Sequence, residues 1–600
     1  MSLNNQINIY SVDTSSFYTR KENELHWLIC KIRSEKKIVT KIIDELKCQL
    51  GALGIGDNEI SNIKENNFDF SGYEEYEITL IIKLINDIEF YNTVKGLKTK
   101  LQNDTKDRLL KTMAHREELN CNKSTRYVRK LRPEHLRIEN IISVFDSSLT
   151  RLLKLEKDKL YEDIIIVRVY YFDVLKDIMK NGFYSNGKKY VYFTSSAGQI
   201  RTKKAVFIRE EAWINNEKTL MCGLTVKYIN DKGGMNVNKF LAYLALSNSA
   251  TDLWDDFDIT KTIVVPDFET QVFGEFDFID DSDYSITHKK GFVPITHTDG
   301  CGMILPELSN KNFMVRLPWI KGLLAVFDFR KFISVNKCSP VIQDIYGNKH
   351  DVIKEDIQII FTESQFKMHK YYDSWDQYVE YFKLYKCTAG KCNEEEDRIP
   401  TAKINYQMIQ TLVDMTDDEL KRISKISNDK IKNISHSVKS MLEAFGIYDY
   451  RTKEKNPFQK ALTMYPELLR DVFCKDTLKQ IKASMVKRYR AAKLDVYGKF
   501  TFLVPDLYAF CERLFLKSET PNGLLHDNEV FCSLYPNAQK LDCLRSPHLY
   551  KEHAVRPNVV TEKNKEWFTT DAIYTSTFDL ISKILQFDDH NVESYGNIRK

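Results

Sequence analysis

The sequence predicts an α+β protein of several domains, and three observations carry that prediction. Its 600 residues exceed what one hydrophobic core supports, so roughly three to five domains are expected. The hydrophobic period changes along the chain, from helical spacing to β-branched runs, back to helix and then to strands again. Hydrophobic residues make up 43% and aromatic residues 12%, which is ample material to bury and excludes disorder as the main state.

The elements follow in order. From Asn23 to about Cys48, Leu25, Leu28, Ile32, Ile38, Ile42, Ile43 and Leu46 recur at mostly helical spacing, and Gly51 and Gly54 stop the helix. A second helical stretch runs near Ile82 to Met113, so residues 1–160 read as a helical N-terminal region. A mixed α/β region, 161–284, opens on Ile164-Ile165-Ile166-Val167-Arg168-Val169-Tyr170-Tyr171, a buried-strand pattern. Tyr190 to Thr194, Ala205 to Ile208 and Ile263-Val264-Val265-Pro266 are further strand-like runs. Between 285 and 375 short strands alternate with turns at Asp299-Gly300, Gly322 and Gly347-Asn348. Residues 376–494 return to helix around an acidic loop, Glu394-Glu395-Glu396-Asp397. Strands reappear in 495–588, at Phe500 to Val504, Glu529 to Ser533 and Cys543-Leu544, and a polar tail occupies 589–600. No internal repeat, heptad array or low-complexity tract is evident.

Net charge is 88 − 84 = +4, so any surface for a polyanion must be local. The twelve cysteines form no C-x-x-C pair and read as free thiols in a reducing cytoplasm. The start lacks a signal-peptide pattern, and no run approaches 18 apolar residues, so a cytoplasmic chain without a membrane partner is expected. P-loop, G-x-G-x-x-G, G-x-S-x-G and H-E-x-x-H motifs do not occur, which removes support for the ordinary NTPases, dehydrogenases and hydrolases.

Asp255-Asp256-Phe257-Asp258, Asp280-Asp281-Ser282-Asp283 and Asp588-Asp589 have carboxylates for Mg²⁺, yet such runs are equally solvated loops. His288 and His297 flank a turn without a third ligand. Lys321, beside Gly322 at the mouth of an apolar strand, can project its ammonium into a cavity while the backbone approaches a ligand. Lys367 follows the strand Ile359-Ile360-Phe361-Thr362, and two such cations suit phosphates. The stretches 123–137 (Lys123, Arg126, Arg129, Lys130, Arg132, Arg137) and 482–493 (Lys482, Lys487, Arg488, Arg490, Lys493, around Tyr489) read as a backbone-tracking surface or as solvated helix faces.

In combination these words resemble a family. Thr298-Asp299-Gly300-Cys301-Gly302-Met303-Ile304-Leu305-Pro306-Glu307-Leu308 resembles an element of the eukaryotic RNA-silencing RNA-dependent RNA polymerases. Arg316 with Lys321-Gly322, then Ser364-Gln365-Phe366-Lys367, are similar to the two elements that follow it there. Upstream Thr194-Ser195-Ser196-Ala197-Gly198-Gln199-Ile200-Arg201 and downstream Arg545-Ser546-Pro547-His548-Leu549-Tyr550-Lys551-Glu552-His553-Ala554-Val555-Arg556 complete an ordered set. The wording is closer still to single-chain, phage-encoded DNA-dependent RNA polymerases of the YonO type. The resemblance implies two double-psi β-barrels, the first within about 285–375 and the second starting near Asp495. It implies that Lys321 and Lys367 serve catalysis, that Arg201, Arg316, Arg545, His548 and Arg556 bind nucleotide or nucleic acid, and that the partners are a DNA template, the RNA product and nucleoside triphosphates; the texture of 482–493 adds Lys487, Arg488 and Arg490 as nucleic-acid contacts.

The chain departs from the pattern at the metal site. The family's second barrel carries D-x-D-G-D for Mg²⁺, and the approach to it here ends Asp588-Asp589-His590-Asn591-Val592-Glu593. Asp588 alone is an incomplete site, so the second barrel is expected to be partial and the chain inactive unless a companion supplies the motif. A frameshift, a rearranged gene or a split polymerase would each produce this. The alternatives are a non-catalytic nucleic-acid-binding remnant or regulator, or a barrel with another ligand.

Overall fold

A computed structural model describes residues 6–121, 128–280, 283–395, 401–404, 414–448, 455–544 and 553–577. The fold is α+β and multidomain, with helices dominant near the N-terminus, and it divides into two compact units. One unit runs to Met221 and takes in Thr225–Ala250; the other comprises Cys222–Leu224 and the chain from Thr251 onward.

The first unit is built on a seven-stranded sheet. Its strands are β1 (Gln6–Asp13), β2 (Arg129–Lys130), β3 (Ile141–Phe145), β4 (Leu160–Arg168), β5 (Phe183–Ser185), β6 (Lys188–Thr194) and β7 (Lys204–Arg209), in the order β2-β5-β6-β7-β4-β1-β3. β4 is the buried run read from Ile164 onward, and it pairs parallel with β1 and antiparallel with β7. The helices are α1 (Arg20–Ala52), α2 (Asp57–Lys64), α3 (Glu75–Cys121), α4 (Ser148–Leu152), α5 (Phe172–Asn181), α6 (Ala197–Arg201), α7 (Glu210–Leu220), α8 (Val226–Asp231) and α9 (Val237–Leu244). α1 starts on a reciprocal cap between Thr19 and Glu22 and ends where Gly54 takes φ +77°. It packs on α3 through Val39, Ile43, Leu50, Ile81, Leu84 and Ile88.

The second unit contains another seven-stranded sheet, of β8 (Asp252–Leu253), β9 (Thr262–Val265), β12 (Cys301–Ile304), β13 (Phe313–Leu317), β14 (Ile320–Val326), β17 (Ile359–Thr362) and β18 (Gly390–Cys392). Their order is β8-β18-β13-β14-β12-β17-β9, with β12 parallel to β14 and β17 parallel to β9. Between β9 and β12 the chain makes a two-stranded ribbon, β10 (Glu269–Ile279) with β11 (Ile286–Thr296), and β15 (Val341–Gln343) pairs with β16 (Lys349–Asp351). Later come β19 (Thr401–Lys403) with β20 (Asp495–Lys499), a sheet of β21 (Leu503–Pro505), β22 (Val530–Phe531) and β25 (Ile573–Thr575), and β23 (Lys540–Leu544) with β24 (His553–Pro557). Helices fill much of the interval from Asp417 to Arg490. One core joins both β regions of this unit, with Ile263, Met303, Ala325 and Ile360 packed alongside Val504, Phe510, Phe531 and Tyr574. Among the described residues no helix is long and apolar enough to cross a membrane.

Candidate functional site

Three of the sequence elements converge on one end of the second unit's large sheet. β13 and β14 form a hairpin in which Arg316 and Lys321 are directly opposite, with Pro318 and Trp319 at the turn. Trp319 is 1% exposed and sits at φ +64°, a left-handed conformation that a bulky residue adopts only when its surroundings hold it there. Its carbonyl accepts the Lys367 amide at 2.9 Å, and Ile320 bridges Phe366. The two lysine-bearing segments are therefore tied main chain to main chain, and Lys321 and Lys367 are both half-buried. Arg316 joins them as the opposite neighbour of Lys321 and bonds the Val315 carbonyl at 2.8 Å.

What locks the elements together is Gln365, which is fully buried. Its amide donates to the carbonyls of Leu323 (2.9 Å) and Gly300 (3.3 Å), and its oxygen accepts the Thr362 amide at 3.1 Å. A Cβ on Gly322 would strike the Gln365 side chain and the Gly300 carbonyl. The sequence pattern gives Gly322 the role of admitting a ligand to the backbone; the close approach is made by Gln365 instead, in a packed hydrogen-bonded interior.

Behind this hub lies a carboxylate that the motifs do not single out. Asp267 accepts the Ser364 amide (2.7 Å), the Ser364 hydroxyl (2.8 Å) and the Thr298 hydroxyl (2.9 Å), so it joins the first and third elements. The Ser364 hydroxyl also accepts the Gly300 amide at 2.8 Å. Burial pushes the Asp267 carboxyl up to about 6; its hydroxyl and amide donors pull it back, and the charge of Asp299 adds to the rise. The Cys301 thiol, fully enclosed and near that carboxylate, is pushed up to about 12 and is inert as a nucleophile. The signal that could have found Asp267 is the Val265-Pro266-Asp267 run at a strand end.

The remaining candidates read from the sequence lie on other elements. Arg201 is exposed at the end of α6, whose start is fixed by reciprocal bonds between Ser196 and Gln199. Lys487, Arg488 and Arg490 are exposed in the last turn of the helix Val472–Arg490, where cations also complement the carbonyl end of a helix. Arg556 is half-buried on β24. Arg545, His548 and Asp588 lie outside the described residues. Arg129 corrects the reading of 123–137 as a surface: its side chain is 0% exposed, held by Glu22 (2.8 Å) and Asp177 (2.6 Å). Burial alone would raise the Glu22 carboxyl, but the hydrogen bonds and charge of Arg129 outweigh it and hold Glu22 below its usual range.

Several of the expected metal candidates are engaged otherwise, while Asp281, Asp588 and Asp589 lie outside the described residues. Asp258 caps the Thr260 amide and Asp283 the Ser285 amide. His288 pairs with Asp277 on the ribbon, whereas buried His297 meets the Thr270 hydroxyl at 2.7 Å. Among the described residues no group of three or more His, Cys, Asp or Glu could hold a metal ion. Asp267 already accepts three hydrogen bonds and belongs to no such group, so by itself it does not fit a catalytic Mg²⁺.

The ordered elements and their convergence define the class. Residues 109–559 match the family described as RNA dependent RNA polymerase, and the chain belongs to that family. Over 588 residues it is 45% identical to the DNA-directed RNA polymerase YonO of Bacillus phage SPbeta, a match covering 98% of this chain. The chain spans 63% of that relative's length.

Proposed function

We propose that this chain forms part of a DNA-directed RNA polymerase, transferring nucleotidyl groups to an RNA 3′-hydroxyl on a DNA template. The observation that carries the reading is the 2.9 Å bond from the Lys367 amide to the Trp319 carbonyl, which ties the Lys367 segment to the hairpin that carries Lys321. In this reading a first double-psi β-barrel lies within 285–375 and a second begins near Asp495. The 3′-hydroxyl gives up its proton to water, its oxygen forms a bond to the α-phosphorus, the bond from that phosphorus to the α,β-bridging oxygen breaks, and pyrophosphate leaves. Lys321 and Lys367, half-buried where water screens them less, hold the negative oxygens of nucleotide and RNA, with Arg316 beside them. Arg545, His548 and Arg556 serve the nucleotide from the second barrel, and Arg201, Lys487, Arg488 and Arg490 take nucleic-acid phosphates. The Mg²⁺ of the reaction is assigned to carboxylates outside the described residues, Asp588 among them, completed by further sequence or a companion chain. The cytoplasm, where template and triphosphates meet, is the setting.

Periodate-oxidised ATP followed by borohydride tests the reading, because the dialdehyde is trapped by a lysine beside it. Peptide mapping is expected to recover Lys321 and Lys367, with labelling suppressed by unmodified ATP. Label spread over surface lysines, indifferent to competing ATP, refutes the assignment. Primed synthesis on a DNA template with Mg²⁺ is expected only when a polypeptide carrying D-x-D-G-D is added; synthesis by residues 1–600 that survives Asp588→Ala refutes the metal assignment. Specific lysine labelling without complemented synthesis would favour the non-catalytic regulator.

A further inference from the structure

A cavity of about 590 Å³ lies within the first unit, between α5, the α8–α9 segment and the face of β6, remote in sequence from both lysines of the proposed active site. Its volume falls in the range of ligand sites, roughly 300–1,000 Å³. Three aromatic rings reach it from three elements, Phe172 on α5, Tyr192 on β6 and Phe240 on α9. Aliphatic side chains such as Ile229 and Leu241 complete the walls, and the polar lining is sparse. Lys176 and Lys180, exposed and one helical turn apart on α5, stand at the mouth. The floor is braced by the Tyr192 hydroxyl bonding Ser195 at 3.0 Å and the Thr194 hydroxyl bonding the Leu241 carbonyl at 2.5 Å.

We propose that this cavity takes unstacked bases of a single-stranded nucleic acid, with the adjoining phosphates on Lys176 and Lys180. The inference rests on the polymerase reading and extends it to a second contact with the strand. Rings without a matching set of donors and acceptors stack on any base, which suits a strand that must pass through regardless of sequence. Two cations at i and i+4 present one face to a phosphate run. An acidic apolar peptide would meet the same lysines, but the aromatic walls favour planar bases over aliphatic side chains.

The test is fluorescence anisotropy of the full chain with a labelled oligothymidylate of about eight nucleotides, a length within the sites single-strand binders use. Phe172 is 67% exposed, so Phe172→Ala leaves the fold intact while removing one stacking face. It is expected to weaken binding about tenfold, whereas Phe90→Ala, which removes a similarly exposed ring on α3 outside the cavity, binds as the wild type does. The double change Lys176→Ala and Lys180→Ala should lower the slope of log Kd against log salt by about 1.4, two phosphates at about 0.7 each. Unchanged affinity in Phe172→Ala together with an unchanged slope overturns the inference and leaves the polymerase reading standing. Failure of the wild-type chain to bind the oligonucleotide at any salt concentration counts against both. Displacement of a bound oligonucleotide by dodecanoate supports the shared cavity; binding of dodecanoate or an acidic apolar peptide in the cavity without displacement overturns it.

Discussion

Asp267→Asn isolates the carboxylate behind the hub. The folded-state value of about 6 against an ordinary 3.8 is a rise of 2.2, and at 1.36 kcal/mol per unit this costs about 3 kcal/mol at neutral pH. The sign follows from a raised value. The protonated carboxyl is favoured in the folded state, so its contribution to stability is fully present below pH 3.8 and is lost as pH rises through 6. Between pH 5 and pH 7 the two titrations leave a difference of about 1 kcal/mol. Asparagine keeps one oxygen for the Ser364 amide, and its NH₂ can donate to the Ser364 or Thr298 hydroxyl, which rotates to accept. Wild type and variant are compared by urea denaturation at pH 5 and pH 7, and subtraction cancels the other titrating groups. The stability of the variant relative to wild type is expected to rise by about 1 kcal/mol from pH 5 to pH 7. Parallel pH dependences, with a constant difference between the proteins, would refute a raised Asp267.

Two further outcomes follow from the buried polar groups. Arg129→Met strands Glu22 and Asp177 without their guanidinium and should cost about 3–5 kcal/mol by chemical denaturation; a loss under about 1 kcal/mol contradicts the buried ion triad. Gln365→Leu leaves the Thr362 amide and the Leu323 carbonyl without their side-chain partner, costs about 2–3 kcal/mol, and lowers dialdehyde labelling of Lys321 and Lys367 together. Loss of label at only one lysine would show that the hub does not couple them.

Legibility from sequence follows the range of the forces involved. The α1 stop at Gly54 and the β4 run are local signals, and both lie where the pattern puts them. β1 disappears into a helical region because its identity as a strand depends on β4, more than a hundred residues away, although Ile7, Ile9 and Val12 are the residues it buries. Charge alone cannot distinguish an exposed arginine from a buried one. Arg129 is inside because Glu22 and Asp177, 107 and 48 residues away, meet it there. Gln365 reads only as a letter in a motif, since its acceptors at Gly300 and Leu323 lie 65 and 42 residues off.

A shorter echo is too brief to register as an internal repeat. Val265-Pro266-Asp267 closes β9, which runs parallel to β17, and Val504-Pro505-Asp506 closes β21, which runs parallel to β25. Pro266 lies just past the β9 ladder, whereas Pro505 is still paired with Thr575 and the Asp506 amide donates to the Thr575 carbonyl at 3.0 Å; in each case the aspartate after the proline gathers main-chain amides. Asp267 takes Ser364, just past β17; Asp506 takes Tyr508 and Ala509 at the start of its own helix, and Leu524 and Leu525 beyond it. Gly523 has no Cβ because Asp506 occupies that space, much as Gly322 yields to Gln365. Strand, Val-Pro-Asp and a parallel partner therefore occur twice in this unit, on strands that contribute Val265 and Val504 to one shared core.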